Sequence, residues 1–488
     1  MLFNSLQFLV FFPTVVGLHF ALPHRFRWAL LLVASYVFYM AWEPGYAVLI
    51  ATSTLVDYIA GIRMGRTPAL QRRRGYLLFS LCTNLGLLFF FKYYNFFGDT
   101  LRPLLALAGW EVYLPHSRFL LPVGISFYTF QTLSYTIEVY RGNQAPERHL
   151  GRFALYVAFF PQLVAGPIER AQNLLPQLRT GHDFDYARVT DGLKLMLWGL
   201  FKKVVVADRL AFAIEHVYGA PEGQPGPVLC LATLFFAFQI YCDFSGYTDI
   251  AIGAAQVLGV RLMENFRQPY FAVSIADFWR RWHISLSSWF RDYLYIALGG
   301  NRVTVPRWCW NIAVVFLLSG LWHGANWTFV IWGLLHGSFL IVGRFTGGLR
   351  GRVAAACGLE KTPRLTQGLQ VLMTFGLVCF AWIFFRADSL RDALYVAGHL
   401  PTGWGVLFDG ASFPSSEGAL GMLPRELLLS LLLIAWVIGV DAMQARGPLR
   451  PYLARQPLWL RWGVYAAGLW GIFLFGVLRQ TEFYYFVF

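Results

Sequence analysis

An all-α polytopic membrane protein is the fold class the sequence predicts, and three observations predict it. The 488 residues are 57% hydrophobic and only 14% charged, against roughly a quarter charged in soluble domains. Mean hydropathy is +0.51, so a chain of this length has no soluble way to hide its surface. Apolar runs of membrane length recur from end to end, and the basic residues that give the net charge of +14 gather in short loops between them. That distribution suits lysines and arginines held on the cytoplasmic side of a bilayer, not a nucleic-acid surface.

Taken in order, apolar spans fall at 2–22, 26–42, 45–62, 75–97, 119–139, 151–167, 189–207, 226–258, 309–343, 367–386, 424–443 and 463–480. At about 20 residues per crossing the total is about eleven to thirteen transmembrane or re-entrant helices, with 309–343 long enough for two passes or a bent pair. The first span lacks a basic leader and a small-residue cleavage site, so it reads as a retained helix. Several spans carry internal Pro or Gly, as in "LLPVGISFYTF" and "FFPQLVAGPIER". Such breaks survive in hydrocarbon only where neighbouring protein satisfies the freed backbone groups, which argues for a packed bundle around a central tunnel.

The loops set an orientation. Segment 63–74, "RMGRTPALQRRR", and Arg141, Arg148 and Arg152 are basic, as are Arg25 and Arg27, whereas 43–44 and 98–118 are poorer in positive charge. The alternation puts the N-terminus outside the cytoplasm. Cys82, Cys230, Cys242, Cys309, Cys357 and Cys379 lie scattered, mostly in apolar runs and without a metal-ligand spacing, and read as small buried hydrophobes. Neither a repeat nor a low-complexity tract is visible, and 401–424 reads as an exposed loop.

Three constellations stand out. In "FLLSGLWHGANWTFVIWGLLHG", Phe316–Gly337, His323 sits mid-run between Trp322 and Gly324. A buried histidine bonded to a carbonyl or to Asn326 is the ordinary reading. At membrane depth ionisable residues are rare and mark functional paths, which shifts the balance to function. His336, thirteen residues on, reads as packing or interfacial. Segment 263–307 is too polar to span and too aromatic for an idle loop. Its stretch "DFWRRWHISLSSWFRDYLYIALGGNR" carries Trp279, Arg280, Arg281, Trp282, His283, Trp289, Arg291, Asp292, Asn301 and Arg302. It is open between an interfacial helix with guanidiniums at headgroups and an anionic-ligand site, where arginines pair with phosphates and aromatic faces take a ring. Coenzyme A has that chemistry. Finally, "FQIYCDFSGYTDIAIG" puts Gln239, Asp243, Ser245, Tyr247 and Asp249 in an apolar run. Two carboxylates there must be paired, hydrated or protonated, and a structural bond to the Arg-rich segment and a catalytic role stand even.

The ordered set "FFPQLVAGPIER" (159–170), "QIYCDFSGYTDIAIG" (239–253), "DFWRRWHISLSSWFRDYLYIALGGNR" (277–302) and "LSGLWHGANWTFVIWGLLHG" (318–337) resembles the membrane-bound O-acyltransferase family. The likeness covers nearly the whole chain and is closest to the bacterial branch that includes the membrane subunits of alginate and peptidoglycan O-acetylation. The resemblance implies a single membrane domain, with N-terminal helices at 1–167, a catalytic core at 168–345 and C-terminal helices with an aromatic tail at 346–488. It implies that the "LWHG" histidine, His323, is catalytic and that His283 is the second polar residue of the active-site tunnel. Trp279, Arg280, Arg281, Trp282, Arg291, Asp292, Asn301, Arg302, Trp322, Asn326, Gln239 and Asp243 become candidates for binding coenzyme A or lining that tunnel. The tail "TEFYYFVF" matches an aromatic ending of the branch, in which Tyr485 would carry an acyl group in relay; a frayed interfacial end is the plain alternative.

The chemistry is coherent. Moving an acyl group from a thioester to a hydroxyl needs a base, and a neutral imidazole serves near pH 7. Whether His283 orients the thioester or bonds its carbonyl oxygen stays open. No Gly-x-Ser-x-Gly elbow occurs, and the resemblance implies an extracytoplasmic hydrolase-like (SGNH-type) acetyltransferase partner that hands the group to a polysaccharide. The expected function is therefore acetyl transfer from cytoplasmic acetyl-CoA to an exopolysaccharide, alginate first, with peptidoglycan, cellulose or another surface polymer open. Expected surroundings are the inner-membrane lipids, with no nucleic acid, no metal and no permanently bound cofactor. A multi-pass transporter using Asp243, Asp249 and His323 as relay groups, and a non-catalytic scaffold, are the rivals from other classes. No inverted symmetry between the halves favours the transporter.

Overall fold

The computed structural model describes residues 1–110, 112–113, 115–117, 119–407, 420–477 and 483. Every regular element among them is helical. Among the described residues eight helical runs are long and apolar enough to cross a membrane: Pro44–Arg66, Leu70–Leu107, Gly226–Val257, Val305–His323, Trp327–Phe345, Pro363–Arg386, Pro424–Arg446 and Leu458–Phe475. At 1.5 Å per residue even the shortest of these reaches about 27 Å, close to the hydrocarbon thickness. The chain is a multi-pass, all-α membrane protein.

The other expected crossings fall on shorter helices, and the backbone says why. Leu6–Ala21 is apolar but has only 16 residues. Within 119–139 the helix starts at Ile125, after Gly124 takes a left-handed φ of 76° against the backbone of Leu163 and Val164. Within 151–167 it stops at Ala158, and the irregular stretch through Pro161 and Gly166 is buried in protein, the setting in which non-helical backbone is tolerated. The run 309–343 resolves into two helices, Val305–His323 and Trp327–Phe345, parted at Gly324–Asn326. Of the cysteines expected to be buried, Cys242 is, whereas Cys82 and Cys357 are exposed.

Two compact units are present, 1–197 with 247–264 and 482–488, and 198–246 with 265–481. In the first, helices Ala47–Arg66 and Leu70–Leu88 share a buried polar cluster. Ser80 Oγ donates to Asp57 Oδ1 at 2.5 Å, Asn84 Nδ2 donates to both Asp57 oxygens at 2.9 and 3.1 Å, and Ser53 Oγ donates to Asn84 Oδ1. Arg73 caps helix Ile125–Arg141 by donating to the carbonyls of Val139 and Tyr140.

The second unit is organised around the hairpin of Val305–His323 and Trp327–Phe345. Their backbones touch through two glycines. A Cβ on Gly320 would lie 2.3 Å from the carbonyl oxygen of Phe329, and one on Gly333 would lie 2.2 Å from that of Phe316. In hydrocarbon, where lipid is as apolar as leucine, such close approach is what holds two helices together. Asn326 caps the second helix by accepting from Thr328 N at 3.0 Å and donates to the carbonyl of Asp388 at 3.2 Å. His323 thereby lands at the end of a helix whose partner fixes its position.

Candidate active site

His323 ends its helix because Gly324 turns the chain into an extended conformation, φ −166°. The ring is buried, and aromatic rings surround it edge-on: Trp332 at 4.8 Å between ring centres, Trp322 at 5.0 Å and Phe385 at 5.3 Å. His283 is also a neighbour, at 6.5 Å. Two histidines forty positions apart in sequence thus meet in one pocket of aromatic side chains.

His283 reaches that position by a strained route. It lies between the short helices Ile275–Arg281 and Ile284–Phe290 with φ 44° and ψ 55°, a left-handed conformation uncommon outside glycine. Strain of this kind persists only where the surroundings over-determine it, and it clusters at active sites. The ring has no exposed surface and packs against Phe244 at 4.7 Å and Trp322 at 5.8 Å. Its Nδ1 lies 3.4 Å from Asn265 Oδ1.

The Arg- and Trp-rich segment sends its two chemistries in opposite directions. Trp282 is fully buried against Phe266 at 5.0 Å and Trp382 at 5.1 Å, and Trp279 lies beside Trp332 and His336. Arg280, Arg291, Asn301 and Arg302 are exposed and Asp292 half-buried. Ser274 caps the first short helix through Asp277 N. Asp277 in turn accepts from Arg281 at 2.9 Å and Arg280 at 3.3 Å. Partial burial pushes the Asp277 carboxyl up, but hydrogen bonds from Arg281, the Val273 amide and Arg280 outweigh it and hold it below the usual carboxylate range. Arg291 Nε donates to Asp292 at 2.8 Å. In "GGNR", Gly299 and Gly300 take φ of 102° and 58°, and Asn311 pins the turn by donating to the carbonyls of Leu298 and Gly300.

Asp243 has a different partner from the one the sequence suggested. Instead of an arginine of the 277–302 segment, Lys203 Nζ sits 2.7 Å from Asp243 and 2.8 Å from Asp208, all three buried. Lys202 donates to Ser245 Oγ at 2.8 Å, and Tyr241 donates to Asp441 at 2.9 Å. Lys202 and Lys203 lie in a π-helical turn, Lys202–Ala207, of the kind that recurs at functional sites. Gln239, on the same long helix as Asp243, is buried, and its Oε1 has no hydrogen-bond partner among the described residues. Tyr247 and Asp249 belong to the first unit, where Tyr247 packs on Phe3 and Phe483 at 4.7 Å each. His336 is fully buried, parallel to Phe278 at 6.0 Å and 5.0 Å from both Trp279 and Trp332; neither ring nitrogen has a hydrogen-bond partner among the described residues. Tyr485 lies outside the described residues.

Sequence reasoning passed over Asn265, Lys203, Asp208, Trp332 and Trp382. The two lysines did carry a signal, since "LFKKVVV" places charge inside an apolar run. Asn265 carried none. Among the described residues no three His, Cys, Asp or Glu side chains stand close enough to hold a metal ion.

The arrangement offers two imidazoles at a dry, aromatic-walled centre and an exposed basic face on the same short segment. Comparison with known proteins gives it a context. Residues 147–386, which include Asp243, His283 and His323, match the pattern of MBOAT, the membrane-bound O-acyltransferase family. A protein of Azotobacter vinelandii named "Probable alginate O-acetylase AlgI" is 40% identical, over 90% of this chain and 84% of its own length. A peptidoglycan O-acetyltransferase of Helicobacter pylori is 36% identical over 75% of this chain and 72% of its own. A teichoic acid D-alanyltransferase of Bacillus subtilis is 27% identical over 55% and 69%. Family pattern and full-length likeness agree: the chain belongs to the membrane-bound O-acyltransferase family.

Proposed function

We propose that this acyltransferase moves an acetyl group from acetyl-CoA, taken up on the cytoplasmic side of the bacterial inner membrane, to the O-acetylation of an exopolysaccharide. The meeting of His323 and His283 at 6.5 Å inside the family-matched region carries the reading. Reacting atoms must come within about 3–3.5 Å, and two rings at that separation can both address one acyl carbon between them. The hydroxyl oxygen of the acceptor forms a bond to the thioester carbonyl carbon as the C–S bond breaks. Its proton passes to the imidazole of His323 and on to the departing thiolate, leaving an ester and free coenzyme A. The exposed Arg280, Arg291 and Arg302 supply a face suited to the phosphates of coenzyme A, and the rings of Trp282 and Trp332 exclude water near the thioester.

Alginate is the first polymer because several relatives of about 40% identity bear the name alginate O-acetylase. Peptidoglycan is the second, from the Helicobacter pylori relative. Delivery runs through a hydrolase-like partner on the far side of the membrane. Tyr485 is the proposed carrier on the way. Purified protein in lipid nanodiscs, given acetyl-labelled acetyl-CoA and a hydroxyl acceptor, tests the reaction. His323→Ala should lower thioester consumption by about 10²–10⁴-fold, the usual contribution of a general base. Undiminished turnover in that variant would remove His323 from the chemistry. Tyr485→Phe should leave thioester hydrolysis intact while abolishing polymer acetylation in cells; normal acetylation there would dismiss the relay.

A further inference from the structure

Asn265 is buried, at 1% exposure, and holds His283 and the two residues that follow it by three bonds. Its backbone carbonyl accepts from Ile284 N at 2.9 Å, its side-chain Oδ1 accepts from Ser285 N at 3.1 Å, and the same Oδ1 lies 3.4 Å from His283 Nδ1. A fourth link, Arg267 N to the carbonyl of Arg281 at 2.9 Å, ties the neighbouring residues on the other side of His283. Between them, Phe266 stacks edge-on against Trp282. The left-handed backbone of His283 is clamped from both sides by one extended strip, 265–267.

The bond to Ser285 decides which way the Asn265 amide points. A backbone N–H can only donate, so the atom facing it must be the carbonyl oxygen and not the NH₂. That oxygen can only accept, so the His283 nitrogen facing it must be the donor. A neutral imidazole carries one proton. With Nδ1 protonated, Nε2 bears the lone pair. We infer that Asn265 is a positioning residue that locks His283 in the Nδ1–H tautomer and presents its Nε2 as a hydrogen-bond and proton acceptor at the site shared with His323. This is the logic by which partners beyond the immediate site fix histidine tautomers elsewhere. The inference rests on the proposed acyl transfer for its consequence. A neutral His283 facing the reaction with Nε2 has no proton to give the thioester oxygen, so it serves by receiving: Nε2 accepts a hydrogen bond from another N–H or O–H of the bound reactants and so holds them in place, while the acceptor's single hydroxyl proton goes to His323.

The tautomer can be read without any turnover. Full-length protein with ¹⁵N-labelled histidines in nanodiscs, with the His283→Gln spectrum subtracted to assign the signals, should show a protonated Nδ1 and an unprotonated Nε2. Asn265→Ala should shift His283 to the opposite tautomer or a mixture, whereas Asn265→Asp, which keeps an acceptor oxygen in place, should retain it. In acetyl transfer, Asn265→Ala should lower kcat by about 10–100-fold with KM within about threefold, and Asn265→Asp should recover most of it. A wild-type spectrum with the proton on Nε2 overturns the inference, even if every variant misfolds. So does an Asn265→Ala protein whose tautomer and kcat match the wild type. A wild-type enzyme inert toward acetyl-CoA with the expected tautomer would refute the proposed function and leave the positioning intact.

Discussion

Lys203 illustrates how one residue can hold two others. Its ammonium lies within 2.8 Å of both Asp208 and Asp243, and all three side chains are almost wholly buried. Removing one partner of a buried ion pair leaves an uncompensated charge, at a cost of about 3–5 kcal/mol, far more than the net worth of the pair. Lys203→Met should therefore lower the melting temperature of the purified protein sharply, and Lys203→Met with Asp208→Asn and Asp243→Asn should recover most of the loss. A single variant as stable as the parent would mean that water or another group compensates the carboxylates. The same triad marks how far single residues were legible. His323 and Asp243 announced themselves as polar groups in apolar runs, because the bilayer makes such groups rare, whereas His283, in a polar aromatic segment, was picked out by the family resemblance. Their partners did not. The choice between Lys203 and the arginines near 280 depends on which turn of which helix faces Asp243, and "MENFRQPYF" gives no hint that Asn265 meets His283 eighteen positions on.

At the level of helices, the pairing of Val305–His323 with Trp327–Phe345 depends on Gly320 and Gly333, where even a methyl group would collide with a backbone carbonyl. Gly320→Ala and Gly333→Ala should each cost about 1–3 kcal/mol, the range for overpacking, seen as a lower melting temperature. Acetyl transfer should fall with it, because His323 stands three residues from Gly320. At Gly376, in helix Pro363–Arg386, an added methyl group would meet nothing within 4 Å. Gly376→Ala should be neutral or gain up to about 1 kcal/mol from helix propensity. Equal behaviour of the three variants would show that the hairpin tolerates separation. Helix existence was largely readable from hydropathy, and the split of 309–343 followed from its length. Boundaries near Gly124 and Ala158 were not, because an apolar run records burial without saying whether lipid or protein does the burying. The stretch Phe159–Ile168 is as apolar as a crossing, yet it folds irregularly inside its own unit.

For the molecule as a whole, the side of the membrane on which each loop lies determines whether an acetyl group can enter from the cytoplasm. The loop between helices Ala47–Arg66 and Leu70–Leu88, with the helix ends beside it, carries Arg63, Arg66, Arg72, Arg73 and Arg74. Of these, Arg73 is engaged with the carbonyls of Val139 and Tyr140, so its charge also serves a helix end. A concentration of arginine in a short loop is retained on the cytoplasmic side during insertion. Two helices that cross the bilayer and flank this loop would return both their far ends to the opposite face. Gln71 is exposed beside the loop, so Gln71→Cys offers a reporter. A membrane-impermeant maleimide should label it in inside-out vesicles and not in intact cells, beyond the background of the parent protein. Labelling from outside would invert the orientation. The basic face of Arg280, Arg291 and Arg302 would then need its own reporter: Arg291→Cys should label from the same side as Gln71→Cys if coenzyme A approaches from the cytoplasm, and labelling from opposite sides would leave the thioester without a basic docking face on the side where it is made.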